Sequence, residues 1–325
     1  MMNAIKSRVI GVDISYERTS YAIVDIRGNI IASNFFATYE YPDVNIFASR
    51  LADALVTISL ENGGLESIRS IGISCPSAVG TTGMIENAAN LPWKGIVPLA
   101  AIMRDRIGLA VIIGNDAHTS ALGEKMYGSA HGMKDFITVS LGVGVGSCFF
   151  SAGHEHCGFG GYAGEFGHTC IVDNGRPCAC GSKGCLEAYV AAAGIVRTAE
   201  EVLAESDKPS LMRDAKELSP RIISEFCDQG DELAQEVYRR TGYTLGFALA
   251  NYASVVNPEA IILTGGISKA GHWLLDPAYE SMEQHIFHNM RGKVKLLQSQ
   301  LNDRERDMLG ASALAWEVPE YSLFK

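Results

Sequence analysis

The chain reads as two α/β halves that open in the same way, each with a strand–turn–strand hairpin. In the first half, residues 9–12 form a short apolar run. A polar turn leads to 19–24, a second turn carries Gly28, and 30–38 continues as a strand, so an antiparallel meander is expected. Ile46, Phe47, Leu51, Leu55 and Ile58 share one face of a helix expected over 45–62. A strand over 68–74, a helix over 96–107, a strand over 110–114 and a helix over 117–127 follow. The second half repeats the opening, with a strand over 136–140, a glycine-rich turn at 142–146 and a strand over 147–151. Residues 153–185 are rich in loop formers, 186–257 read as mostly helical, and a strand over 260–263 runs into Thr264-Gly265-Gly266. Such a duplication predicts a two-domain α/β architecture with an interdomain cleft.

The length of 325 residues agrees with two domains and with a core that needs no covalent staples. Hydrophobic residues make up 47% and charged residues 20%, the balance of a soluble globular protein. The net charge of −10 argues against a general binder of nucleic acid or anionic membrane, which needs a basic footprint. No apolar window is long enough to span a bilayer, and the first residues carry no apolar signal segment. The expected setting is cytoplasmic and reducing.

Eight cysteines could in principle pair, but three of them cluster in one loop. His168, Cys178, Cys180 and Cys185 give H-x9-C-x-C-x4-C, a ligand set suited to tetrahedral Zn²⁺. Gly181 and Gly184 would let the chain fold tightly around the ion. Four protein ligands leave no position for water, so the expected zinc is structural. It would fix two nearby carboxylates, Glu165 and Glu187, close to one point.

The stretch GYAGEFGH (161–168) followed by CACGSKGCLE (178–187) resembles the signature of the ROK family, named for repressors, open reading frames and sugar kinases. NLPWKG (90–95), GNDAHTSALGE (114–124), SLGVGVG (140–146) and NPEAIILTGG (257–266) resemble further family landmarks in the same order, and the resemblance covers nearly the whole chain. It implies the two-domain actin-like ATPase (ribonuclease H-like) fold. One domain would hold residues 1–116 and about 305–325, the other 117–304 with the zinc loop. It also implies that Asn90, Asn115, Glu165, His168 and Glu187 bind sugar hydroxyls and that Asp116 is the general base. A carboxylate in reach of a hydroxyl can take its proton as the oxygen attacks a γ-phosphoryl group. His168 would use one ring nitrogen for zinc and the other for sugar. Asp13, Arg18, Gly142, Gly144, Gly265 and Gly266 would lie on the side of Mg²⁺–ATP, and a homo-oligomer, dimer or tetramer, is implied.

One landmark departs from the family pattern. Kinases of the family carry an Asp-x-Gly-Gly-Thr type turn after the first strand. Here Asp13 is kept, but Ser15-Tyr16-Glu17-Arg18 follows it, and Val143 stands in the second turn where a hydroxyl residue is usual. A carboxylate at Glu17 facing a phosphate at ~4 Å would cost about 4 kcal/mol at an effective dielectric of 20. The leading expectation is ATP-dependent phosphorylation of a hexose or N-acetylhexosamine. The alternative is a catalytically silent sugar-binding sensor, resembling the family's transcriptional regulators without a DNA-binding domain of its own: eight residues before Val9 are too few for a helix-turn-helix.

Overall fold

The computed structural model describes residues 6–318, apart from 89, 90 and 160. The described residues up to His131, with those from Leu301 onward, form one compact unit, and Gly132–Gln300 forms the other. The division therefore falls later than 116/117 on the first pass of the chain and earlier than 304/305 on its return.

The first unit holds β1 (Arg8–Ile14), β2 (Arg18–Asp25), β3 (Ile30–Ala37), α1 (Val44–Glu61) and β4 (Ile68–Ser74). Three short strands, β5 (Ala78–Val79), β6 (Met84–Glu86) and β7 (Ile96–Val97), form a small sheet of their own that the sequence did not suggest. α2 (Leu99–Ile107), β8 (Ala110–Gly114) and α3 (Asp116–Tyr127) follow. The main sheet has the order β3-β2-β1-β4-β8. β1 pairs antiparallel to β2, which pairs antiparallel to β3, while β1, β4 and β8 run parallel. α2 begins at Leu99 rather than at 96 because Pro98 disfavours helical geometry at the residue before it.

The second unit repeats this plan with β9 (Phe136–Leu141), β10 (Val145–Ser151), β11 (His154–Glu155), β12 (Ala260–Thr264) and β13 (Lys295–Gln298), in the order β11-β10-β9-β12-β13. Again the first three strands are antiparallel and the last two run parallel to β9. Between β11 and β12 lie the loop of 156–186 and the helices α4 (Glu187–Val190), α5 (Ala192–Glu205), α6 (Pro220–Asp228) and α7 (Glu232–Val256); α8 (His272–His285) follows β12. Their apolar faces cover the sheet with Ile195, Val237, Leu245, Leu249 and Leu274, all fully buried.

The long C-terminal helix, Asp303–Trp316, crosses back onto the first unit's sheet. Gly11 and Gly72 are neighbours in the β1–β4 register. A Cβ on Gly11 would lie 2.1 Å from the Met308 carbonyl oxygen, and one on Gly72 1.9 Å from that of Ala311. Only glycine admits this backbone-to-backbone approach. The Ser70 hydroxyl fixes it by donating to the Ala315 carbonyl at 2.8 Å. No helix of the described residues is long and apolar enough to cross a membrane.

Candidate functional site

In the first unit, β1, β4 and β8 run parallel and end together at Asp13, Ser74 and Gly114. Ligand sites of open α/β sheets gather at such carboxyl ends. Asn115 follows directly and caps α3, its side-chain oxygen accepting from the Ala117 N–H at 2.9 Å. The Asp116 side chain thus opens the helix without being its cap residue. Burial raises the Asp116 carboxyl above the usual carboxylate range, against the pull of the Ala117 N–H. Asn90, assigned to the sugar by resemblance, lies outside the described residues.

Asp13 is pushed up to about 8, first by burial and then by the nearby Asp307 carboxylate, with a Ser74 hydrogen bond acting the other way. The native chain therefore holds a proton that the unfolded chain releases near pH 4, so stability falls as pH rises from about 4 to about 8. Asp13→Asn removes this slope. In nucleotide-free urea melts, the variant should match wild type near pH 4 and exceed it at pH 8. A wild type as steep as the variant, or more stable at pH 8, would contradict the buried proton.

The turn after Asp13 is closed upon itself. The Ser15 N–H donates to the Arg18 carbonyl at 3.0 Å, and the Ser15 hydroxyl accepts from the Arg18 N–H at 3.2 Å. Its side chains are exposed: Tyr16 lies against Tyr39, and the Arg18 guanidinium sits over the Phe35 ring at 5.1 Å. Arg18 still lowers Asp13 through space, the smallest of the influences on that group.

In the second unit the turn of 142–146 joins β9 to β10. The Ala192 N–H donates to the Gly142 carbonyl at 2.9 Å, which fixes the turn to the start of α5. A Cβ at Gly144 would come 2.7 Å from Glu187 Oε2, and the same oxygen accepts from the Val145 N–H at 2.9 Å. Val143, at the tip, is 96% exposed. Gly265 has φ +83° and a Cβ there would lie 2.4 Å from the Leu141 carbonyl oxygen, whereas Gly266 opens into free space. Just before this pair, the Thr264 hydroxyl is buried with no partner among the described residues.

His168, Cys178, Cys180 and Cys185 come together with their ligand atoms all within 4.8 Å of one another. His168 Nδ1 lies 3.7 Å from Cys178 Sγ, and the Cys180 and Cys185 sulfurs are 3.7 Å apart. A tetrahedron with 2.3 Å bonds has edges of about 3.8 Å, and these two pairs match it. Gly184 is required where the loop closes, since a Cβ would lie 1.8 Å from the Val172 carbonyl oxygen. Cys178 also reaches Glu187 Oε1 at 3.7 Å, so the cluster, Glu187 and the second glycine turn are continuous.

Glu165 is exposed and precedes the single turn Phe166–His168. Residues that sequence reasoning did not single out hold this turn. The Ser147 hydroxyl accepts from the Phe166 N–H at 3.1 Å and donates to the Gly164 carbonyl. From α7, the Tyr252 ring stacks on Phe166 at 4.0 Å, and its hydroxyl donates to the Phe166 carbonyl at 2.7 Å. Arg176 anchors the cysteine loop from below. Its buried guanidinium donates to the Ala188 and Gly194 carbonyls and meets Glu201 at 2.6 Å.

The model described as ROK family matches residues 9–318. The chain belongs to the ROK family. Among its ROK relatives, the glucokinase of Halalkalibacterium halodurans is 34% identical over 282 residues, 85% of each chain. A ROK family glucokinase from Streptomyces griseus, solved in complex with glucose and AMPPNP, is 30% identical with a TM-score of 0.74, covering 95% of this chain and 99% of that one. The xylose repressor of Caldicellulosiruptor bescii is 27% identical over 97% of this chain and 80% of that protein. The fold is accordingly the actin-like ATPase fold of the ROK sugar kinases, as the motifs led one to expect.

Proposed function

We propose that this ROK protein transfers the γ-phosphoryl group of Mg²⁺–ATP to a hexose or N-acetylhexosamine, with glucose the first candidate because two of the relatives above are glucokinases. The observation that carries this reading is Asp116: a carboxyl placed just past the carboxyl end of β8, with its proton affinity raised by desolvation, suits a base that takes the proton of a sugar hydroxyl. Glu165, His168, Glu187 and Asn115 are assigned to the sugar hydroxyls. His168 turns Nδ1 to the cysteines and keeps Nε2 for a hydroxyl. Zn²⁺ would be held by His168, Cys178, Cys180 and Cys185, where its chemistry is to cross-link the loop. Gly142, Gly144, Gly265 and Gly266 are assigned to the phosphates; Gly266 opens into free space, and the unpartnered Thr264 hydroxyl supports a polar ligand at that turn. Asp13 and Arg18 are assigned to the same ligand. A homo-oligomer is part of the reading.

A second reading, a sugar sensor without turnover, is favoured by one observation. The turn after β1 spends two N–H groups on its own Arg18 carbonyl and Ser15 hydroxyl instead of leaving them for phosphate. ADP release with Mg²⁺–ATP and a panel of hexoses and amino sugars decides between the two. Sugar-dependent ADP supports the kinase; calorimetric sugar binding with no ADP from any sugar refutes it in favour of the sensor.

A further inference from the structure

Apart from the zinc set, the second unit brings two more cysteines to one carboxylate. Cys148 lies on β10 and is buried; Cys157 lies just past β11 and is exposed. The Cys148 thiol donates to Glu155 Oε1 and the Cys157 thiol to Glu155 Oε2, each at 3.3 Å.

The hairpin makes this convergence a matter of register. β10 and β11 pair Ser151 with His154 and Phe150 with Glu155, around the turn Ala152-Gly153 with both φ angles positive at 52° and 84°. The ladder runs one residue further, since the His156 N–H donates to the Phe149 carbonyl at 3.0 Å and the two rings stack at 4.9 Å. The next opposed pair is Cys148 with Cys157. Hydrogen-bonded and non-hydrogen-bonded pairs alternate, and the Phe149–His156 pair is hydrogen-bonded, so Cys148 and Cys157 occupy a non-hydrogen-bonded site. There Cα atoms stand about 4.5 Å apart, inside the range a disulfide spans.

We propose that Cys148 and Cys157 are a site of reversible disulfide formation, with small-molecule disulfides such as oxidised glutathione as the oxidant. The exposed Cys157 thiolate attacks one sulfur of the oxidant, forming a mixed disulfide and releasing one thiolate. The Cys148 thiolate then attacks the Cys157 sulfur, forming the protein disulfide and releasing the second thiolate. Each protein thiol loses its proton to solvent, two electrons leave the protein, and one oxidant disulfide becomes two thiols. Glu155 restrains the reaction: burial together with the carboxylate holds both thiols above their ordinary pKa, Cys157 at about 11.

The bond would tether the segment that leads to Glu165. The Ala163 N–H donates to the Cys157 carbonyl at 3.1 Å, and Gly164 packs on the backbone of Ser147 and Cys148. A tether across a ring of roughly ten residues restricts opening by up to about 100-fold.

The test uses the full chain loaded with zinc, treated with oxidised glutathione, alkylated, digested and mapped by mass spectrometry. The expected product is a peptide linking Cys148 to Cys157, lighter by two hydrogens and restored by dithiothreitol. Hydrogen exchange at the Ala163 amide should slow by about 10- to 100-fold in the oxidised form. Cys157→Ser, at an exposed position, should keep the fold and yield neither change, and Glu155→Gln should speed the linkage. Wild-type protein that stops at a glutathione adduct on Cys157 overturns the proposal, and so does linkage confined to Cys178, Cys180 and Cys185. None of these readouts depends on sugar or ATP, so their failure leaves the kinase reading as it stands.

Discussion

Asp116→Asn lowers turnover by roughly 10²- to 10⁴-fold, the usual worth of a positioned base, while sugar affinity stays within a few-fold of wild type. The amide keeps the shape of the side chain and can still accept from the Ala117 N–H, which Asp116 Oδ1 meets at 2.9 Å. The α3 terminus should survive, because Asn115 is its cap. What the amide cannot do is take a proton. Steady-state kinetics give the first quantity and calorimetry the second. If sugar binding vanishes along with turnover, Asp116 is a binding residue and its role as base is wrong. If turnover persists at half the wild-type rate, some other group takes the proton.

Removing the proposed zinc has the second large effect. Among the described residues, the ladder contacts of the loop between β11 and α4 are the single bridges Cys170–Cys185 and Pro177–Lys183. Metal binding by zinc-finger ligand sets contributes about 10–16 kcal/mol, far more than two bridges supply. Metal analysis should find about one zinc per chain, and Cys180→Ser should lose it. The core of α5, α7 and α8 is built chiefly from helix residues such as Ile195, Leu249 and Leu274, so the unit should stay folded by circular dichroism. Turnover, however, should fall by roughly 100-fold, the scale of an ångström's misplacement of His168 and Glu187. A chain purified without metal that turns over sugar at the full rate would refute the zinc assignment.

The two site components differ in how far the sequence revealed them. The cluster of His168 with Cys178, Cys180 and Cys185 and the glycine turns were legible because they use particular residue types at short spacings. His168 to Cys185 spans one loop, and Gly265 is needed where its own φ is positive and the Leu141 carbonyl stands close. Tyr252 was not legible. It acts on Phe166 from 86 residues away, and along its own helix it reads as one more core position. Ser147 and Arg176 were hidden for the same reason, since a hydroxyl or guanidinium in a strand or loop does not announce its distant partner. In the fold, the repeated hairpin openings survived intact. The unit boundary moved because α3 packs with the C-terminal helix: a Cβ on Gly123 would lie 3.1 Å from Gly310 Cα, a contact invisible in either segment alone.

That returning helix has a consequence for synthesis. During translation β1 and β4 emerge early, but the groove of Gly11 and Gly72 waits for residues 303–316 to cover it. The whole of Gly132–Gln300 is made in the interval and has a core of its own. The first unit therefore spends elongation as a half-clad sheet that only the last-made helix can cover. Chaperone binding should concentrate on that sheet in chains truncated before residue 303 and vanish in the full chain.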